Sequence, residues 1–179
     1  LIDIKQLIYI TIYTYRNNKV ENTTMDHKKR ESPFTLRVAV IGDLDKCVEL
    51  ALQIPLENNP DIFPPSSEPK VRTTLTELIS RQTLIVYENN GIIIGILGIT
   101  VDTFWWSDKP YILDTLFYVK PEFRSHNTYR RMLSAVEAFA KINHLPIALL
   151  FFTTKDVKRK FKLLTRKGYK PAGFWVVKE

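Results

Sequence analysis

The chain has 179 residues, 45% of them apolar, 25% charged and 12% aromatic, enough to bury one core without disulfide or metal staples. One cysteine (Cys47) and three histidines exclude a disulfide framework, and no Cys or His pair stands at zinc-ligand spacing. The net charge of +7 is unevenly spread: residues 120–179 carry 14 Lys and Arg against four acids, a balance of +10, and the other 119 residues carry 12 against 15, or −3.

A basic last third points to an anionic partner (nucleic acid, a phosphorylated cofactor or an acidic protein face) or to a solvated lysine-rich surface. Apolar runs such as Ile92–Thr100 fall short of the ~20 residues that span a bilayer. The expectation is a soluble, intracellular, cytoplasmic domain with no membrane partner. Residues 1–24 read as an upstream extension or loose arm. Leu1 is not Met, Ile8–Tyr13 is a strand-like run with no cleavage site after it, and Met25 opens a polar stretch typical of an N-terminus. Residues 25–179 read as a single domain.

Phe34–Ile41 is rich in strand formers, and Asp43 stands where it can N-cap a helix with Leu44, Val48, Ala51 and Leu52 at helical spacing. Cys47 belongs to that helix as a small buried hydrophobe. Leu56–Pro69 holds four prolines and reads as a loop, and Lys70–Ser80 as a helix. Thr83–Glu88 and Ile92–Val101 flank Asn89-Asn90-Gly91, the clearest hairpin signal in the chain. Phe104–Pro110 is a connection, and Tyr111–Val119 completes a three-strand meander. Trp105 and Trp106, with Phe63 of the proline loop, line an acceptor pocket or pack a hairpin connection.

The last third alternates differently. Asn127–Ile142 is an amphipathic helix with Tyr129, Met132, Leu133, Val136, Phe139 and Ala140 on one stripe. Ile147–Phe152 is a continuous apolar run suited to a buried strand, parallel to the strand before the helix. A basic helix over Asp156–Arg166, apolar at Val157, Phe161 and Leu164, and a strand over Phe174–Lys178 close the chain. Lys158, Arg159, Lys160 and Lys162 read as its solvated face. The parallel unit leaves a helix N-terminus at a strand's carboxyl end, among Arg124, Arg130 and Arg131. Unpaired N–H groups and the helix dipole favour phosphate there.

Two segments carry a family resemblance. Val119-Lys120-Pro121-Glu122-Phe123-Arg124 resembles the V-x-P-E-[YF]-R segment of the GNAT superfamily of acyl-CoA-dependent N-acyltransferases, and Arg166-Lys167-Gly168-Tyr169-Lys170-Pro171 resembles its K-x-G-[FY]-x-P segment. The resemblance covers residues 34–178. It implies an α/β fold, α+β in the strict sense: a mixed, mainly antiparallel sheet with helices on both faces and one parallel strand–helix–strand unit. It also implies transfer of an acetyl group from acetyl-CoA, or another acyl-CoA, to a primary amine by direct attack, with no metal. A catalytically weak or inactive CoA- or protein-binding module is the alternative. The acceptor is a small-molecule or protein amine, nucleic acid is disfavoured, and the oligomeric state stays open, a homodimer included.

The resemblance maps the pyrophosphate loop onto Arg124, Ser125, His126, Asn127, Thr128 and Tyr129, followed by Arg130. Asn127 and Tyr129 stand where the family has small residues, usually glycine. Asn tolerates turn geometry, and the Tyr129 ring either crowds the phosphate or turns into the apolar stripe. The oxyanion donor maps to a backbone N–H around Phe117–Val119, the base to Asp114, and a cofactor contact to Thr153, where the family has Asn. For Asp114 the alternative is a turn cap or salt bridge. The family's thiol-protonating Tyr falls on Leu164, leaving Tyr118 or Tyr169 as substitutes; Tyr118 is taken with Asp114 as the catalytic pair. His126 contacts phosphate or is incidental.

Overall fold

A computed structural model describes residues 34–57, 65–150 and 157–172. Residues 1–24, Phe63, Thr153 and the strand expected over Phe174–Lys178 lie outside them.

Strand β1 covers Phe34–Val38 and ends before the expected Ile41, because Val40 and Ile41 turn outward, 58% and 66% exposed. Helix α1 (Leu44–Glu57) follows a single 3-10 turn, and α2 covers Glu68–Ser80. The proline-rich connection is therefore shorter than the sequence indicated. Pro55 sits inside α1, and Pro69 occupies the first turn of α2, where its missing N–H costs nothing. Asp43 immediately precedes α1, but its carboxylate does not cap that helix. It accepts the Val40 N–H at 2.8 Å and two Arg37 bonds at 2.6 and 2.9 Å.

Strands β2 (Leu84–Asn89) and β3 (Ile92–Thr103) meet at Asn90 and Gly91, both at positive φ, 50° and 79°. That is the type I′ pair a two-residue hairpin demands. Strand β4 is Pro110–Val119, α3 His126–Asn143, β5 Ile147–Ala148 and α4 Val157–Arg166. The strands lie in the order β1-β2-β3-β4-β5, antiparallel except for the parallel β4–β5 pair. The mixed sheet matches the expected class.

Two cores lie on opposite faces. Ile85, Leu97, Ile112 and Val119 pack under α3 through Met132, Val136, Phe139 and Ala140. Val86, Ile96 and Tyr118 pack under α1 and α2 through Cys47, Leu50, Leu75 and Leu78. The apolar stripe of α3 is buried from Met132 to Ala140, with Tyr129 half-buried, each large buried side chain contributing roughly 1.5–3 kcal/mol. Burial pushes the Cys47 thiol up to about 12, as befits a core residue and not a nucleophile. In α4 the pattern holds only in part: Leu164 is buried, but Phe161 is half exposed. Among the described residues no helix is long and apolar enough to cross a membrane.

Candidate active site

The site grows from one irregularity in β4. Gly98 pairs with Leu116 but Ile99 with Asp114, so Thr115 is an extra residue, a β-bulge. The bulge resets the alternation. Asp114 joins Ile112 on the α3 face, and Leu116 and Tyr118 fall on the α1/α2 face.

On its other edge, among the described residues, β4 pairs with β5 only at Ile112–Leu113. Beyond that point the Leu150 N–H donates to Asp114 Oδ1 at 2.6 Å instead of to the β4 backbone. The carboxylate acts as a wedge that parts the two chains. Lys120 N–H donates to Ile94 O at 2.9 Å on β3. By the two-residue alternation of an antiparallel ladder, Tyr118 and Leu116 also face β3, and the N–H groups of Phe117 and Val119 face the parted edge. Val119 O, on that same side, accepts from Arg124 Nε at 2.7 Å.

A cavity of about 530 Å³ wraps this open edge, lined by Asp114–Val119, by Glu57 and Ile54 of α1, by Tyr129, Leu133 and Val136 of α3, and by α4. Asp114 is only 9% exposed, and desolvation pushes its carboxyl up to about 6 despite the Leu150 bond. A carboxylate with that value gives up or takes a proton near neutral pH. This bond is neither the turn cap nor the salt bridge considered for Asp114, and the same side chain lines the cavity.

Tyr118, also in the cavity wall, donates its phenol to Glu57 Oε1 at 2.8 Å. Burial and this bond push it up to about 12. It reaches the cavity from the opposite face to Asp114, so the two do not form one constellation on a single face. Glu57 Oε2 holds Arg124 at 2.6 Å, with the guanidinium 5.3 Å above the Tyr118 ring. The first residue of the mapped phosphate loop is thus a strut between α1, β4 and the loop.

That loop is ordered by its own hydroxyls. Ser125 Oγ caps α3 by accepting the Thr128 N–H at 3.1 Å. Thr128 Oγ1 donates to Phe123 O at 2.8 Å, which leaves Ser125 to donate to Thr128 at 2.9 Å. Tyr129 N–H makes an ordinary helical bond to Ser125 O at 3.2 Å. Among the described residues no acceptor is bonded to the amides of Ser125, His126 or Asn127, as expected of a helix N-terminus. Asn127 and Arg130 are exposed beside them. The Tyr129 ring turns inward and packs edge-on against Phe117 at 5.2 Å. Burial and the nearby Asp114, Tyr169 and Glu137 hold its phenol well above the ordinary tyrosine value.

Leu164 is buried, as its apolar position indicated. Two expectations change. Trp105 and Trp106 do not line the cavity: Phe104 stacks on Trp106 at 4.7 Å and on Tyr111 at 4.0 Å, and Trp105 stands 92% exposed at the tip. Arg159, Lys160 and Lys162, read as a solvated face, line the cavity with Arg166. Sequence reasoning missed those three and Glu57. Among the described residues no three His, Cys, Asp or Glu are grouped to hold a metal ion.

No protein-family model and no curated protein matches the sequence. Solved structures do match the fold. A predicted acetyltransferase from Clostridium acetobutylicum, solved with acetyl-CoA, superposes with a TM-score of 0.64 at 16% identity, over 80% of this chain and 94% of that one. The chain has the GNAT acetyltransferase fold. The aminoglycoside N-acetyltransferase AAC(6′)-Iy in complex with CoA matches with a TM-score of 0.62 at 15% identity, over 86% and 98%. A GCN5-related N-acetyltransferase from Ralstonia eutropha matches at 0.60 and 14%, over 80% and 96%. In this GNAT fold the bulge and parted edge of β4, the α3 N-terminus and α4 surround one cavity.

Proposed function

We propose that this chain is an acyl-CoA-dependent N-acyltransferase, moving an acetyl group from acetyl-CoA to a primary amine. The observation that carries the reading is the parted edge of β4. Two backbone N–H groups, Phe117 and Val119, face the same cavity as a carboxyl held near 6, at the mouth of a helix N-terminus.

The diphosphate rests on the amides of Ser125, His126 and Asn127, with Arg130 beside them, and the thioester lies along β4. Asp114 takes a proton from the ammonium, and the freed amine nitrogen attacks the thioester carbon. As the C–N bond forms, the carbonyl oxygen gains negative charge and accepts a hydrogen bond that the Phe117 or Val119 N–H donates. Collapse breaks the C–S bond, the new amide nitrogen gives up its extra proton to water, and the sulfur leaves as a thiolate. With Leu164 apolar, the departing sulfur relies on its own acidity and on water or the phenols of Tyr118 and Tyr129 in the cavity wall.

A second reading, a CoA-binding module without turnover, draws on Asp114 Oδ1 being tied to the Leu150 amide and on the apolar Leu164. Incubation with acetyl-CoA and a panel of amines, followed by thiol release, separates the two. Amine-dependent thiol supports the enzyme. CoA binding without thiol release supports the module, and no CoA binding removes both.

A further inference from the structure

Elsewhere in the described residues, five basic side chains meet acids. Arg37 pairs with Asp43 and Glu88, Lys46 with Glu49, Arg72 with Asp45 and Glu68, Arg124 with Glu57, and Lys167 with Glu137. On α4, Arg159, Lys162 and Arg166 stand at i, i+3 and i+7, so they share one stripe, and all three line the cavity. They are exposed, and among the described residues no carboxylate pairs with any of them. Like charges at this spacing repel and weaken a helix. The first turn of α4 also holds no acid to offset its dipole. A stripe kept at that cost against a concave wall calls for an anion opposite it.

Resting on the acyl-CoA reading above, we propose that Arg159, Lys162 and Arg166 form a second anion subsite, distinct from the α3 amides, that takes the phosphate monoester of the acyl donor. A monoester carries close to two charges at neutral pH and three acceptor oxygens, which suits two guanidinium forks and an ammonium. The stripe spans about 10 Å along the helix, room for one such group. Arg124 does not supply this charge, because Glu57 and Val119 O occupy it.

The test compares CoA with 3′-dephospho-CoA by titration calorimetry on the full chain, wild type and the Arg159→Gln/Lys162→Gln/Arg166→Gln variant. Wild type is expected to bind CoA about 10-fold or more tighter than dephospho-CoA, and the variant to bind the two alike. The single Arg166→Gln change should narrow the preference. Equal binding by wild type, or a preference that survives in the variant, overturns the subsite. Failure of wild type to bind either compound overturns the acyl-CoA reading itself, which is a different result from equal binding of both.

Discussion

At the corner where β1, β2 and α1 meet, Arg37 is gripped by Asp43 and Glu88, whose side chains are only 12% and 13% exposed. Arg37 is held far above even its usual basicity and Asp43 below the carboxylate range, each mainly by the bonds between them. Along the cavity, by contrast, Asp114 has no ion-pair partner among the described residues, and the stripe on α4 has no described acid against it. The first region spends its charges on holding the fold. The second keeps charges in states that a bound ligand would relieve, at the fold's expense.

That contrast is breakable. The largest effect falls on Asp114→Asn: loss of a general base is expected to cut turnover at least ~100-fold, while the folded protein gains stability. Burial raises the carboxyl from 3.8 to about 6, so it is the neutral acid that suits the fold. Ionisation costs stability progressively from about pH 4 to about pH 6 and in full above that. The Asn variant should therefore melt higher than wild type at pH 8, by an amount worth about 2–3 kcal/mol, and equally at pH 4. Wild-type turnover should rise through the same ionisation. A variant less stable than wild type at pH 8 would mean that the Leu150 bond outweighs the buried charge.

Arg37→Gln is the mirror image. Stranding two mostly buried carboxylates should cost on the order of 2–3 kcal/mol, read as a lower denaturant midpoint, with CoA affinity unchanged. Ser125→Ala removes the α3 cap and should cost about 1 kcal/mol together with a measurable loss of CoA affinity, since the same turn aims the amides. The smallest stability change belongs to Arg166→Gln, within about 0.5 kcal/mol in thermal melts.

How much of this was readable in the chain depends on range. The stripe of α3, the Asn90-Gly91 turn and the parallel β4–β5 pair follow from local period and turn chemistry, and all appear. Asp114 stood out as a carboxylate in an apolar run, and the structure puts it in the cavity wall. Glu57 gave no signal, because its partners Tyr118 and Arg124 are 61 and 67 residues away. Asp43 was read as a helix cap from its neighbours, and a strand residue claimed it instead. The cations of α4 were assigned to solvent because an amphipathic pattern identifies the core face only. It does not tell a wall of a cavity from open surface, which here decides their meaning. The Thr115 bulge has no mark in the sequence, yet without it Asp114 would point to the other face.

Recording amide shifts of ¹⁵N-labelled protein while acetyl-CoA is titrated in tests the account most directly. Ser125, His126 and Asn127 should move together with Phe117 and Val119, saturating at one affinity. Millimolar acetyl-CoA leaving those five amides in place would contradict the account.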